Sequence, residues 1–329
     1  RAAKELIDTS LARDVSKGRL TAEQVSDLSA RIAYTTRLAA FADADLIIEA
    51  IYENMQAKLD LLAELDRVTR PGCILASNTS MLDIDVLAAH TADPSRVLGL
   101  HFFSPAHLMR LLEVVTGRQT APDVLATALA FARSLGKIPV IAGVTHGFIG
   151  NRALEAYLDR AFQMVEEGVS PYKIDAALEE WGMAMGPFRM LDLAGLDVCN
   201  SVRRTRREMW PDKDIPDLDE VMPRLGRKGR KTGGGWYDYH ADTPKGRPYD
   251  KTEDILGDYR ASHRRPARTY DRQAIVDALV GSLAREGLAI VAEGHAQCSS
   301  DVDVVFLNGY GFPRFRGGPV FYATEAGLI

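Results

Sequence analysis

Cysteine is scarce in this sequence of 329 residues: Cys73, Cys199 and Cys298 stand far apart, odd in number and without CxxC spacing. Such a set argues against a disulfide framework and against a zinc site, and it fits a reducing, intracellular compartment. An excess of one charge is also lacking. The 40 Lys and Arg face 45 Asp and Glu for a net charge of −5, so no global basic field is available to hold nucleic acid or an anionic membrane. No apolar run approaches the ~18–20 residues of a membrane span, and residues 1–6 lack the apolar stretch of a signal peptide. There is no initiating Met, residues 1–17 already read as a helix, and the chain stops at Ile329 just after a structured-looking segment; a fragment of a longer protein is expected. A GxGxxG turn is missing too. The GGG run Gly233–Gly235 follows a basic loop rather than a strand, which is the wrong context for a dinucleotide fingerprint.

What the sequence does have is apolar material, 46% of its residues, enough to fill two sizeable cores at ~100–200 residues per domain. From residue 32 to about 142, short apolar runs alternate with helical patterns, the signature of an α/β domain. The runs are Asp45–Ile51, Cys73–Asn78, Val97–Phe103, Leu111–Val115 and Ile138–Ala142. From Phe148 the texture changes to long helices, with Leu154, Tyr157, Leu158, Ala161, Phe162 and Val165 on one stripe. A domain boundary is therefore expected near Gly143–Gly147. The polar stretch from Asp238 to Asp271 shows no apolar period and reads as a loop or linker.

Beyond that stretch the helical texture repeats. Glu167-Gly168 followed by Asp175 matches Glu293-Gly294 followed by Asp301 at an offset of 126, and Gly186-Pro187 matches Gly318-Pro319 at an offset of 132. The all-helical part reads as two copies of one unit. The fold class expected is thus an α/β, Rossmann-like and mostly parallel sheet followed by a duplicated all-α domain. The divisions are 1–146, 147–240, a linker at 241–271, and an incomplete second copy at 272–329.

Ligands of an α/β domain sit at the carboxyl ends of its strands. The polar residues there are Glu49 and Glu53, Ser77-Asn78-Thr79-Ser80, His101 and Glu113. His101 and Glu113 each interrupt a run apolar enough to be buried. A buried carboxylate is costly unless paired, and a His is an obvious partner because the contact also selects its tautomer. Taken singly, each residue has a plainer reading as a core histidine, an edge charge or a helix cap.

Their order is more specific. EAIYEN (Glu49–Asn54), ASNTS (Ala76–Ser80), GLHFFSP (Gly99–Pro105), LLEVV (Leu111–Val115), GFIGNR (Gly147–Arg152) and GMAMGPFRMLDLAGLD (Gly182–Asp197) resemble, in sequence and spacing, the 3-hydroxyacyl-CoA dehydrogenase family. HFFSPAHLMRLLEVV and the tail GYGFPRFRGGPVFY (Gly309–Tyr322) resemble in particular the dehydrogenase half of multifunctional β-oxidation enzymes, in which a hydratase/isomerase domain comes first. The resemblance implies oxidation of (S)-3-hydroxyacyl-CoA to 3-ketoacyl-CoA with hydride passing to NAD. Carried over position by position, it implies His101 as general base, Glu113 as its orienting partner, and Ser80 and Asn151 at the reacting oxygens. It likewise implies Glu53, Lys58, Asn78, Ser80 and Ser104 near the cofactor, no metal, an acyl-CoA partner, an upstream enoyl-CoA hydratase domain and a thiolase partner. The setting it implies is bacterial cytoplasm or peroxisome. A short-chain 3-hydroxybutyryl-CoA dehydrogenase and a non-catalytic structural or binding relative are the alternatives.

Departures from the family pattern carry expectations of their own. The Gly-rich phosphate loop is expected upstream of Arg1. His146 stands where Pro usually precedes the GFIxNR motif, and Gly150 stands where an apolar residue is usual; both are expected to loosen the hinge between domains. Ser104 replaces a common Asn. The basic clusters Arg203–Arg207 and Arg227–Lys231 read as solvated surface. The second helical copy is expected to support the first by burying its apolar face.

Overall fold

A computed structural model of the chain describes residues 2–263 and 265–329. An exposed hairpin of α1 (Ala2–Ser16) and α2 (Ala22–Ala30) comes first. Thr21 and Gln24 close a reciprocal capping box at the start of α2. Then come β1 (Leu46–Glu49), α3 (Met55–Val68), β2 (Ile74–Ser77), α4 (Ile84–Ala88), β3 (Val97–Phe102), β4 (Leu111–Thr116), α5 (Pro122–Ser134) and β5 (Ile138–Gly143). Each strand falls within or within one residue of an apolar run. The strands form one sheet in sequential order, every neighbouring pair parallel except β3 with β4. A short loop rather than a crossover helix joins those two, so the chain turns back and pairs antiparallel.

Strand periodicity sorts the side chains between two faces. Leu98, Leu100, Leu112 and Val114 pack with Ala128 and Ala132 of α5. Val97, Leu111 and Val115 join a core on the other face that continues through α3 and α4 into the helices beyond. His101 and Glu113 fall on this second face, two residues from Gly99 and Leu111, and they are partners in the β3–β4 register.

Those later helices are α6 (Gly150–Glu166), α7 (Pro171–Trp181), α8 (Pro187–Ala194), α9 (Leu196–Met209) and the single turn α10 (Val221–Arg224). The hairpin β6 (Tyr237–His240) and β7 (Thr243–Pro248) follows, then α11 (Thr252–His263), α12 (Arg272–Ala292), α13 (Ser299–Gly309) and α14 (Pro319–Glu325). The segment expected to be a linker therefore contains β7 and α11. α11 buries only Thr252 and Leu256 fully and is otherwise tied down by polar bonds from Tyr259 to Glu166 and Asp217 and from Arg260 to the Val165 carbonyl, too few apolar contacts to produce a readable stripe.

α6, α7 and α8 recur as α12, α13 and α14, and a shared capping device marks the correspondence. Asp175 in α7 accepts from Phe188 N (2.9 Å) and Arg189 N (3.0 Å) at the start of α8, while Asp303 in α13 accepts from Val320 N (2.7 Å) at the start of α14. The glycines before those helices, Gly186 and Gly318, touch the capping aspartates so closely that a Cβ would overlap them. The counterpart of Asp175 is thus Asp303 and not Asp301. The loop from α12 to α13 holds six residues where that from α6 to α7 holds four, which moves the offset from 126 to 128.

The basic clusters follow expectation at Arg204, Lys228, Arg230 and Lys231, which are exposed, and depart from it elsewhere. Arg203 and Arg206 are buried, paired with Asp159, Asp219 and Glu155, and Arg227 lies 3.5 Å over the Tyr249 ring while bonding Asp238. Only their planar, multiply donating heads make such interior pairing affordable.

Candidate active site

His101 Nδ1 lies 2.6 Å from Glu113 Oε2, both side chains buried. A carboxylate only accepts, so Nδ1 carries the hydrogen, and in a neutral ring Nε2 keeps its lone pair. The other carboxylate oxygen, Oε1, accepts from Gly150 N (2.9 Å) and Ile149 N (3.2 Å) at the start of α6. Oriented amides and the positive end of a 17-residue helix offset the cost of burying that charge. The aim of α6 depends on a bent approach: Gly147 has φ 73° and Phe148, buried beneath the His101 ring at 5.7 Å, has φ 51°. A bulky residue in the left-handed region is held there only by its surroundings.

A second cluster closes the carboxyl ends of β1 and β2. Lys58 Nζ is buried and bonds both oxygens of Glu49 (2.9 Å each) and the Ile51 carbonyl, with Glu53 Oε2 at 3.5 Å. Ser77 also donates to Glu49. Glu53 accepts from Thr79 Oγ1 (2.5 Å) and Ser80 N (2.9 Å), yet its side chain stays 34% exposed. Asn78 Oδ1 accepts from Phe102 N, tying the end of β2 to that of β3. Ser104 is exposed in the loop after β3.

The two domains meet at Asn151. Its Nδ2 lies 3.5 Å from the Ser80 carbonyl, and its Oδ1 accepts from Tyr310 Oη at 2.8 Å. His101, Glu113, Ser80 and Asn151 are therefore joined through one set of contacts. Glu53 adjoins them through Ser80, Lys58 through Glu53, and Asn78 through Phe102. Ser104 has no such link. Two residues escaped the sequence reading. Glu49 stood among the strand-end carboxylates but carried no assigned role, and Tyr310 lay inside the GYG motif that marked the tail. The supposedly loose hinge is filled: Tyr310 occupies the space that a Cβ on Gly150 would take, and His146 packs edge-on against Trp210 at 5.1 Å.

A mostly parallel sheet whose strand ends carry a buried His–Glu pair, met by a helical domain that brings an amide to the same point, has the architecture of a dehydrogenase. Residues 1–145 match the family described as 3-hydroxyacyl-CoA dehydrogenase, NAD binding domain, and residues 147–239 match 3-hydroxyacyl-CoA dehydrogenase, C-terminal domain. The chain belongs to the 3-hydroxyacyl-CoA dehydrogenase family of NAD-dependent oxidoreductases. It is 44% identical to the peroxisomal bifunctional enzyme of Danio rerio over 87% of this chain and 42% of that one. The crystal structure of 3-hydroxybutyryl-CoA dehydrogenase from Escherichia coli is similar with a TM-score of 0.82 at 28% identity, covering 98% of this chain and 83% of that one. The dehydrogenase part of multifunctional enzyme 1 from C. elegans is similar with a TM-score of 0.64 at 30% identity, covering 94% and 70%. The chain spans less than half the length of the curated relatives it matches.

Proposed function

We propose that the protein oxidises (S)-3-hydroxyacyl-CoA to 3-ketoacyl-CoA, passing hydride to NAD, as a step of fatty-acid β-oxidation. The observation that carries this reading is the His101–Glu113 pair, set opposite in register and fixed by the α6 amides. Nε2 of a ring so held can take the C3 hydroxyl proton as the C3 hydride leaves, and Glu113 stabilises the positive charge the ring then carries. Ser80 and Asn151 hold the substrate oxygens where charge shifts.

The donor set fits a nicotinamide nucleotide. Glu53 is an anchored but partly exposed carboxylate at a strand end, able to accept from a ribose or carboxamide, with Ser80 and Ser104 as neutral partners. Lys58 and Asn78 spend the polar contacts described above on their neighbours, so in this reading they shape the site by holding Glu53 and the strand ends. When bound, the cofactor accepts the hydride. In the same reading residues 1–146 form the cofactor domain, 147–240 supply Asn151, and 272–329 brace both across the segment 241–271.

The bifunctional and multifunctional names of the relatives support a further activity on a longer chain, which in this reading is an upstream enoyl-CoA hydratase domain, with a thiolase as partner; the peroxisomal names among them support a peroxisomal setting, with bacterial cytoplasm the counterpart. Among the described residues no helix is long and apolar enough to cross a membrane. The likeness to the E. coli enzyme favours a second reading, a preference for short 3-hydroxybutyryl chains, and turnover across a chain-length series separates the two. The central test is His101→Gln in the complete polypeptide. Acyl-CoA binding should persist while kcat falls by ~10² or more, the scale of a positioned general base. Retention of more than about a tenth of kcat would remove His101 from that role.

A further inference from the structure

The second helical copy does more than cover the first. Its α12 packs along α6 and α7, and α13 reaches the edge of the sheet at β4 and β5. The turn after α13 then carries Tyr310 to the junction where the reacting groups meet. We propose that Tyr310 is a positioning residue that fixes the orientation of the Asn151 amide, so that the second copy completes the active site of the first; this rests on the dehydrogenase reading above.

The amide orientation follows from its neighbours. The Ser80 carbonyl can only accept, so Nδ2 of Asn151 faces it and Oδ1 faces Tyr310. The phenol must then donate. Burial, with Glu113 and Glu155 nearby, pushes the Tyr310 hydroxyl well above its ordinary value, which keeps it a donor at every working pH. One N–H of Asn151 remains for a substrate oxygen. If the hydroxyl were absent, Oδ1 would lose its donor and the amide would be held by the 3.5 Å contact to Ser80 alone, free to swing its remaining N–H away from the substrate oxygen.

The approach of Tyr310 is specified from three sides by missing Cβ atoms. A Cβ on Gly150 would stand 2.6 Å from Tyr310 Oη, one on Gly309 would stand 2.5 Å from Leu111 Cδ2, and one on Gly311 would stand 2.9 Å from Ala184 Cβ. The ring is stacked on Phe306 (4.7 Å) and meets Phe103 edge-on (5.4 Å), and Phe103 in turn lies against His101 (4.6 Å). The phenol is therefore placed by packing, while its hydroxyl has one hydrogen-bond partner among the described residues, Asn151.

Tyr310→Phe in the complete polypeptide tests the role, because it keeps the ring and removes the hydroxyl alone. The expected result is a fall in kcat of about tenfold, the upper range for one hydrogen bond, with acyl-CoA affinity and Tm little changed. In an Asn151→Ala background the same change should cost nothing further, since Tyr310 acts through that amide. Gly150→Ala, which displaces the phenol, should reproduce the kcat loss if Tyr310→Phe folds poorly. Full kcat in Tyr310→Phe, or losses that multiply with Asn151→Ala, would overturn the proposal. So would a kcat loss matched by equal losses of Tm and binding, which marks a packing role. If Tyr310→Phe is fully active while His101→Gln is inactive, this inference falls and the dehydrogenase reading stands; if His101→Gln is active, the reading itself falls.

Discussion

Replacing Glu113 by Gln changes one atom and sets two demands against each other. The carboxylate serves three donors, His101 Nδ1 through Oε2 and the amides of Ile149 and Gly150 through Oε1. An amide offers a single acceptor oxygen. If that oxygen faces His101, its NH2 group points at two buried backbone N–H groups, a cost of about 1–3 kcal/mol for each orphaned donor. If it faces the backbone, the NH2 group meets Nδ1, which must then accept. The second arrangement is the cheaper, and it moves the imidazole hydrogen to Nε2, the atom that has to take the substrate proton. The expected loss is about 10³–10⁴ in kcat, the scale at which a misassigned tautomer disables a His-based site, or ~4–5.5 kcal/mol of barrier. Steady-state NADH formation measures it, and thermal unfolding checks that the side chain is still accommodated. Folded Glu113→Gln enzyme within tenfold of the parent kcat would refute the argument, since His101 would then not depend on this carboxylate for its tautomer.

Arg152→Met should cost about 1–2 kcal/mol at neutral pH, because Arg152 links α6 to α12 through Glu286 (2.6 Å) and both oxygens of Glu293 (2.6 and 2.8 Å), with those carboxylates partly exposed. The hydrogen bond from Arg152 holds the Glu293 carboxyl below its ordinary value. Its share of the stability is thus present above the usual carboxylate range and lost as pH falls through that lowered value, so the Tm curves of parent and variant should converge in acid; a gap constant with pH would contradict this. For the thiols, burial pushes Cys199 up to about 11, whereas Cys298 is exposed. Iodoacetamide at about pH 8 should label Cys298 in the native protein and spare Cys199, and mass mapping that finds both labelled at equal rates would show that α9 opens readily.

Local pattern by itself determined the five strands, because apolar runs of five to seven residues between turn signals have few other uses, and it singled out His101 and Glu113, because a polar residue inside such a run has to be explained. The GFIGNR and GYGFPRFRGG motifs were likewise visible as motifs. Their meeting was not. The register that sets His101 opposite Glu113 depends on a loop that turns β4 antiparallel, and the amides that support Glu113 lie 36 and 37 residues further along. Tyr310 is 159 residues from the Asn151 it contacts. No period of 2 or 3.6 residues encodes such a distance; it is decided when two copies of a helical unit bury their apolar faces on each other and glycines leave room for one ring. The same holds for the arginines read as surface and the segment read as a linker, where a charge pattern is identical in solvent and in an interior ion-pair network until packing supplies the partners. Even the offset between the copies needed the fold, since two extra loop residues shift Asp175's counterpart to Asp303, and only the bonds that each aspartate makes to the next helix reveal it.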